Sequence, residues 1–202
     1  MNLSASTARL FDRRPEDLAL ATQDHPGVPP LGLGALPSST VTTAPPTDVE
    51  ITDMADETRS LSEWLTTFPI AMVVLDPFTY ESSWILDTAL RLFGEYSQAD
   101  VRLAFLVTAD VEGTRAFLGP LTDEVLAFAD PERSLTRALE LESLPALVVV
   151  RQDGQLIGSA EGWDPDSWRG VTEALSDQLS WHRPMVPAAG DPVAYPGTPA
   201  LP

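Results

Sequence analysis

Three runs of strand length, made almost entirely of apolar residues, stand out in the pattern of hydrophobic and polar positions. They are Ile70–Leu75 (IAMVVL), residues 101–107 (VRLAFLV) and residues 147–150 (LVVV). Nearly unbroken apolar runs are typical of strands buried on both faces, whereas half-exposed strands alternate apolar and polar residues. The sequence therefore predicts a buried central sheet built around these three segments.

Segments with helical spacing separate and follow these runs. From Tyr80 onward the apolar positions recur at helical intervals, which predicts one helix with a buried face. That face contains Trp84, Ile85, Thr88, Ala89, Leu92 and Phe93. Four other helices are predicted: one N-capped by Ser62 and ending before Pro69, one over 112–118, one opened by Asp130 and Pro131 and ending at Leu139, and one opened by Asp164 and Pro165 with Trp168, Val171, Leu175 and Leu179 buried.

Shorter strands complete the predicted order of elements. Residues 49–52 alternate apolar and polar, and 59–61 can return as a second short strand after a polar turn. Residues 124–128 form a short apolar segment, and Asp153 with Gly154 predicts a hairpin that returns over 155–160. Strands that alternate with helices predict an α/β sheet covered by helices on both faces.

Proline positions set the domain boundaries. Of the 19 prolines, seven precede residue 50 and six lie from Pro184 onward. Proline cannot donate a backbone hydrogen bond, so both ends are predicted to be extended or disordered. The sequence thus predicts a Pro-rich, largely disordered tail over 1–48, one folded domain over 49–183, and a Pro-rich tail over 184–202.

Composition excludes several functions for this chain. It has no cysteine, and because all 12 basic residues are arginine it has no lysine either, which rules out thiol nucleophiles, thiolate metal sites and Schiff bases. A net charge of -18, with scattered arginines, argues against nucleic acid and anionic membranes as partners. Acidic clusters lack the spacing of a calcium loop, so we expect no metal and no cofactor. No secretion signal or apolar span is evident, and we expect the chain to be cytoplasmic.

The region from residue 49 to 180 resembles the thioredoxin-like fold. Residues 143–154 (SLPALVVVRQDG), followed by Gly162, are similar to that fold's X-Pro bond, strand, tight turn, edge strand and closing glycine. Residues 128–134 and the hairpin over 50–61 resemble features of the TlpA-like and peroxiredoxin branch. The resemblance implies a thioredoxin-like central mixed sheet, an N-terminal β-hairpin extension, and a cis bond before Pro145.

The chain departs from this resemblance where relatives carry reactive cysteines. Aligned on the TlpA-like Cys-X-X-Cys pattern, the two cysteine positions hold Tyr80 and Ser83. Aligned on the peroxiredoxin Thr-X-X-Cys pattern, Thr79 matches and Ser82 takes the reactive position. Both alignments remain open, and both remove the sulfur, so the resemblance implies a redox-inactive domain without catalytic residues.

Two groups of residues form the candidate binding site. The loop that opens the helix contains Thr79, Tyr80, Glu81, Ser82 and Ser83, and the simplest interpretation is helix capping by Thr79 with Glu81 favoured by the helix dipole. The second group brings together aromatic residues and the X-Pro loop: Phe78, Tyr80, Trp84, Trp163, Leu144 and Pro145.

The resemblance implies how this second group would act. Several of the aromatic residues could belong to the core, but exposed together they would form a protein-binding patch. Relatives pair the residue before the proline with a partner's backbone, and Leu144 could do the same. We therefore expect a thioredoxin-like domain that acts in protein binding or assembly, with a partner that the sequence does not identify. The alternative is a non-redox transferase or isomerase that uses a bound small thiol near Tyr80, Ser82 and Ser83.

Overall fold

The computed structural model describes residues 47–201 of the chain. The tail predicted over 1–48 therefore lies, except for its last two residues, outside the described residues. The described part contains nine strands: β1 (Glu50–Asp53), β2 (Thr58–Ser60), β3 (Ile70–Leu75), β4 (Arg102–Val107), β5 (Leu126–Ala129), β6 (Ser143–Leu144), β7 (Ala146–Val150), β8 (Leu156–Glu161) and β9 (Thr198–Pro199). It contains six α-helices: α1 (Leu61–Trp64), α2 (Tyr80–Trp84), α3 (Leu86–Tyr96), α4 (Val111–Leu118), α5 (Ser134–Ala138) and α6 (Pro165–Leu179).

Seven strands form one mixed sheet in the order β2-β1-β5-β4-β3-β7-β8. Strand β4 is parallel to both β3 and β5, whereas β7 is antiparallel to β3 and to β8. The β1–β2 hairpin extends the sheet because β1 pairs antiparallel with β5. The predicted mixed α/β sheet with an N-terminal hairpin is confirmed.

The core has two layers because residues of the central strands alternate between the faces of the sheet. On β3, Ala71, Val73 and Leu75 contact one cluster, and Ile70, Met72 and Val74 contact the other. Helices α3 and α6 pack on the first face and helices α1 and α5 on the second. All six residues of β3 are buried, as the apolar run predicts.

Several helix boundaries differ from the prediction. The first helix is capped by Ser60 rather than Ser62, because the Glu63 carboxylate accepts a hydrogen bond from the Ser60 amide at 2.9 Å and completes a capping box. The single helix predicted from Tyr80 is divided at Ile85 into α2 and α3. Trp84, expected on the buried face, is consequently 54% exposed.

The helix predicted to open at Asp130 and Pro131 begins later, at Ser134. Asp130 still caps it from a distance, since its buried carboxylate accepts hydrogen bonds from the amides of Ser134 and Thr136 at 2.6 and 2.9 Å. The strand predicted over 124–128 lies at Leu126–Ala129, because Gly119–Asp123 forms a 3-10 helix that precedes it.

The C-terminal segment after α6 packs against the domain. Asp191 accepts hydrogen bonds from Thr88 Oγ1 at 2.9 Å and from Arg91 Nη2 at 2.8 Å, both on α3. Farther along, β9 pairs with β6 in a separate two-stranded sheet, and Ala200 is fully buried. Through these contacts, residues in 184–201 pack against the sheet and α3.

Within residues 47–201, no helix is both long enough and apolar enough to cross a membrane.

Candidate functional site

The loop that follows β3 is held in place by its own hydrogen bonds. The buried hydroxyl of Ser82 accepts from the Asp76 amide at 2.8 Å, and the Asp76 carboxylate accepts from the Phe78 amide at 2.9 Å. Thr79 Oγ1 lies 3.1 Å from the Asp76 carbonyl oxygen and 3.2 Å from Ser82 Oγ. These bonds fix the backbone of the loop before α2 begins.

The predicted capping interpretation holds for the position of Thr79 but not for its side chain. Thr79 has the extended backbone of an N-cap residue, with φ -122° and ψ 143°. Its hydroxyl caps no backbone amide of α2 and instead lies against the Asp76 carbonyl oxygen and the Ser82 hydroxyl. Glu81 lies in the first turn of α2, where a negative charge is favourable.

The positions that correspond to the missing cysteines have different environments. Ser82 is fully buried and its oxygen is already used by the loop. Ser83 is exposed and donates a 2.6 Å hydrogen bond to the carbonyl oxygen of Tyr80, within the same helical turn. Tyr80 is 80% exposed.

Three of the four predicted patch aromatics are exposed together on this loop and α2. Phe78 and Tyr80 are each 80% exposed and Trp84 is 54% exposed. Trp163, in contrast, is fully buried, packs edge-on against Trp168 and donates its indole N–H to the Pro192 carbonyl at 2.8 Å. Trp163 therefore belongs to the core, and the aromatic patch consists of Phe78, Tyr80 and Trp84.

A buried ion pair connects the loop to the C-terminal segment. Arg133 donates to the Asp76 carboxylate at 2.8 Å, and the two side chains are only 16% and 8% exposed. Arg133 also donates to the carbonyl oxygen of Ala200. One guanidinium thus binds both the loop that presents Phe78 and the segment that contains β9.

The bond between Leu144 and Pro145 is cis, and the residue before it already has a strand partner. Leu144 is fully buried and pairs with Thr198 of β9. The edge that the resemblance assigns to a partner's backbone is therefore occupied by the chain's own C-terminal segment. Sequence reasoning missed β9 because two residues within a Pro-rich segment show no strand periodicity.

Tyr195 joins the C-terminal segment to the aromatic patch. Its ring meets that of Trp84 edge-on at 5.5 Å, and its hydroxyl donates to the Glu81 carbonyl oxygen at 2.8 Å. Burial, and to a smaller extent the negative charge of Glu81, raise the pKa of the Tyr195 phenol above its usual range, so the group stays protonated. The single aromatic residue in this Pro-rich segment was the one sequence signal that could have pointed to this contact.

Among residues 47–201, no group of three or more His, Asp or Glu side chains is arranged to hold a metal ion. The arrangement instead offers exposed aromatic side chains on a fixed backbone, beside a sheet edge that accepts an extended segment.

Comparisons with known proteins identify the fold. No protein-family model and no curated protein matches the sequence. Solved structures do match: a putative thiol:disulfide interchange protein DsbE from Chlorobium tepidum has 13% identity and a TM-score of 0.56, over 65% of this chain and 93% of that one.

Two further solved structures match at similarly low identity and similar TM-score. Xanthomonas campestris peroxiredoxin Q has 11% identity and a TM-score of 0.54, over 69% of this chain and 94% of that one. A secreted Mycobacterium tuberculosis disulfide oxidoreductase has 15% identity and a TM-score of 0.51, over 63% of this chain and 96% of that one. The chain has the thioredoxin-like fold, in the form shared by DsbE-type and peroxiredoxin Q structures. It carries no cysteine on that fold.

Proposed function

We propose that this chain is a redox-inactive thioredoxin-like domain that binds another protein through the aromatic patch of Phe78, Tyr80 and Trp84. The observation that carries the proposal is the exposure of these three side chains on neighbouring positions of one loop and helix. Large apolar side chains exposed together on a folded domain mark sites of protein association. Burying one such side chain contributes about 1.5–3 kcal/mol, so three of them can form the centre of an interface.

The fixed backbone of the loop supports this function. The bonds among Asp76, Phe78 and Ser82 order the loop in the free protein. Docking of a partner on Phe78 and Tyr80 therefore costs less conformational entropy than docking on a loop that must first be ordered. The strongly negative charge disfavours acidic partners.

The second part of the proposal is the absence of redox activity, which follows from a composition without cysteine. A serine hydroxyl is not ionised near neutral pH without an adjacent base, so Ser82 and Ser83 do not replace a thiolate. The alternative function, a transferase or isomerase with a bound small thiol, gains no support from Ser82, which is buried and already hydrogen-bonded. We place the chain in the cytoplasm as part of the proposal.

Affinity capture from a lysate of the source cells tests the binding function. The triple variant Phe78→Ser, Tyr80→Ser, Trp84→Ser removes the patch, and Val193→Ser is the matched control because Val193 is 90% exposed outside the patch. A partner retained by the wild type and by Val193→Ser, but lost with the triple variant, is expected. Equal retention by all three proteins would contradict the patch.

Activity measurements test the redox half of the proposal. The purified chain should neither reduce insulin disulfides nor consume peroxide above a heat-inactivated sample. Turnover above that background would overturn it. A dose-dependent rise in melting temperature with small thiols would support the transferase alternative instead.

A further inference from the structure

The large apolar side chains that residues 47–201 expose are confined to two parts of the chain. Three form the aromatic patch, and the other three, Met185, Val193 and Leu201, lie on the C-terminal segment. Met185 is 72% exposed and Val193 is 90% exposed. The exposed residues between these two are uncharged and small or apolar: Pro187, Ala189 and Gly190. Residues 185–194 therefore form an apolar strip on the surface.

The backbone of the apolar strip is held at both ends. Arg91 of α3 donates to the Met185 carbonyl oxygen at 3.0 Å, and Arg169 of α6 donates to the next carbonyl oxygen at 2.6 Å. At the far end, the Trp163 indole donates to the carbonyl oxygen that precedes Val193, at 2.8 Å. The exposed side chains thus project from a backbone that is ordered in the free protein, which lowers the entropy cost of a contact.

The apolar strip contains one charged group, and that group is used internally. Asp191 is the sole charged residue in 184–201, and its side chain is only 4% exposed. Its carboxylate accepts hydrogen bonds from Arg91 at 2.8 Å, from the Thr88 hydroxyl at 2.9 Å and from the Ala188 amide at 2.7 Å. The strip therefore presents an uncharged surface on a chain whose net charge is -18.

The charge distribution indicates what this surface contacts. Apolar side chains exposed together on a folded domain mark a contact with another molecule. Because the strip is uncharged, it offers no electrostatic attraction to a basic partner. Two copies of a chain with a net charge of -18 repel each other, and at the strip they can meet without placing like charges face to face. Contacts between identical chains are also the most apolar class of interface.

We propose that the apolar strip is the contact between two copies of this chain, with the strip of one copy packed on the same strip of the other about a twofold axis. Met185 and Val193 supply the large side chains on each copy. Two such side chains are fewer than an interface of standard size uses, so the dimer is weak and reversible. The strip shares no side chain with the aromatic patch, and the dimer forms whether or not the patch binds a protein.

Sedimentation velocity of the purified full-length chain over a concentration series tests the dimer. The double variant Met185→Ser, Val193→Ser removes both large side chains of the strip. The matched control is Phe78→Ser, Tyr80→Ser, which replaces two side chains of similar exposure, 80% each, outside the strip. We expect the dissociation constant of the dimer to rise at least tenfold in the first variant and to equal that of the wild type in the control. Circular dichroism checks that both variants fold.

Salt distinguishes this contact from one held by opposite charges. Salt screens the repulsion between two acidic copies and leaves the burial of apolar side chains in place, so the dimer should tighten as sodium chloride is added. A dimer that weakens with salt would overturn the apolar contact, because attraction between charges would then hold it together.

Oxidation of Met185 by peroxide reports where the copies touch. A thioether covered by a second copy is oxidised more slowly, so the rate at Met185 should fall as the protein concentration rises and the dimer forms. Met54, a half-buried methionine after β1, is the internal reference and should oxidise at the same rate throughout. An unchanged rate at Met185 in the dimer would place the contact elsewhere and overturn the strip.

Two further outcomes would overturn the proposal. The first is a wild-type chain that remains monomeric at every concentration. The second is a dimer that the Phe78→Ser, Tyr80→Ser control weakens and Met185→Ser, Val193→Ser does not. Capture of a partner from lysate by the aromatic patch is read separately, so failure of the dimer and failure of the patch are distinguishable.

Discussion

The ion pair between Asp76 and Arg133 lies where the loop, the core and the C-terminal segment meet. The charged atoms are 2.8 Å apart, and the side chains are 8% and 16% exposed. Removal of one partner leaves the other charge buried without compensation, which typically costs about 3–5 kcal/mol. Because Arg133 keeps some contact with water and its bond to Ala200, we expect Asp76→Ala to lower the free energy of unfolding by about 3 kcal/mol, at the lower end of that range.

A double-mutant cycle with Asp76→Ala and Arg133→Met measures the interaction energy between the two side chains, separately from their other contacts. The double variant leaves no unpaired charge, so its loss should be smaller than the sum of the two single losses by about 1–3 kcal/mol. Asp166→Ala provides the matched control. It breaks the Asp166–Arg169 pair, which is similar in length at 2.7 Å but 84% and 39% exposed, and should cost no more than about 1 kcal/mol.

Urea unfolding, monitored by tryptophan fluorescence and circular dichroism, measures these losses in the free energy of unfolding at constant m-value. Additive single losses, within about 0.5 kcal/mol, would refute the reasoning, because they would mean that the two charges do not stabilise each other. A loss for Asp76→Ala no larger than that for Asp166→Ala would refute it as well.

Two other predictions concern the core and Tyr195. Trp168→Ala should cost about 3–5 kcal/mol in urea unfolding, since the indole is fully buried and donates to the Gly162 carbonyl at 2.9 Å; a loss under about 1 kcal/mol would contradict this packing. Because burial raises the pKa of Tyr195, its contribution to stability is complete below the ordinary tyrosine pKa of about 10 and is lost as pH rises above it. Wild-type stability should therefore fall more steeply than that of Tyr195→Phe above about pH 10, and parallel curves for the two proteins would show that Tyr195 does not titrate in this way.

Much of the fold could be predicted because its main signals are local. The apolar run of β3 and the Asp153–Gly154 hairpin each depend on neighbouring residues, and both occur where the sequence places them. Errors arose where two local signals compete. Ser60 and Ser62 are both reasonable caps, and the glutamate three residues after Ser60 decides between them.

The candidate site was less predictable, because exposure depends on contacts between distant parts of the chain. Trp84 is followed by two apolar residues and is 54% exposed, whereas Trp163, which lies between Gly162 and Asp164, is fully buried. The difference arises because α2 ends at Trp84, whereas Pro192 and Trp168 enclose Trp163. No periodicity over a few residues contains that information.

The sequence by itself determined that the chain carries no thiol group and where its central strands lie. The absence of cysteine is a property of the chain whatever its conformation, and buried strands are marked by their own apolar side chains. Only the tertiary structure decided what occupies the edge at Leu144. Thr198 lies 54 residues farther along the chain, in a segment whose prolines prevent regular hydrogen bonding and hide it from pattern analysis. Its place depends on the fit of Gly197 against Leu144, and such a fit exists only after the domain has folded.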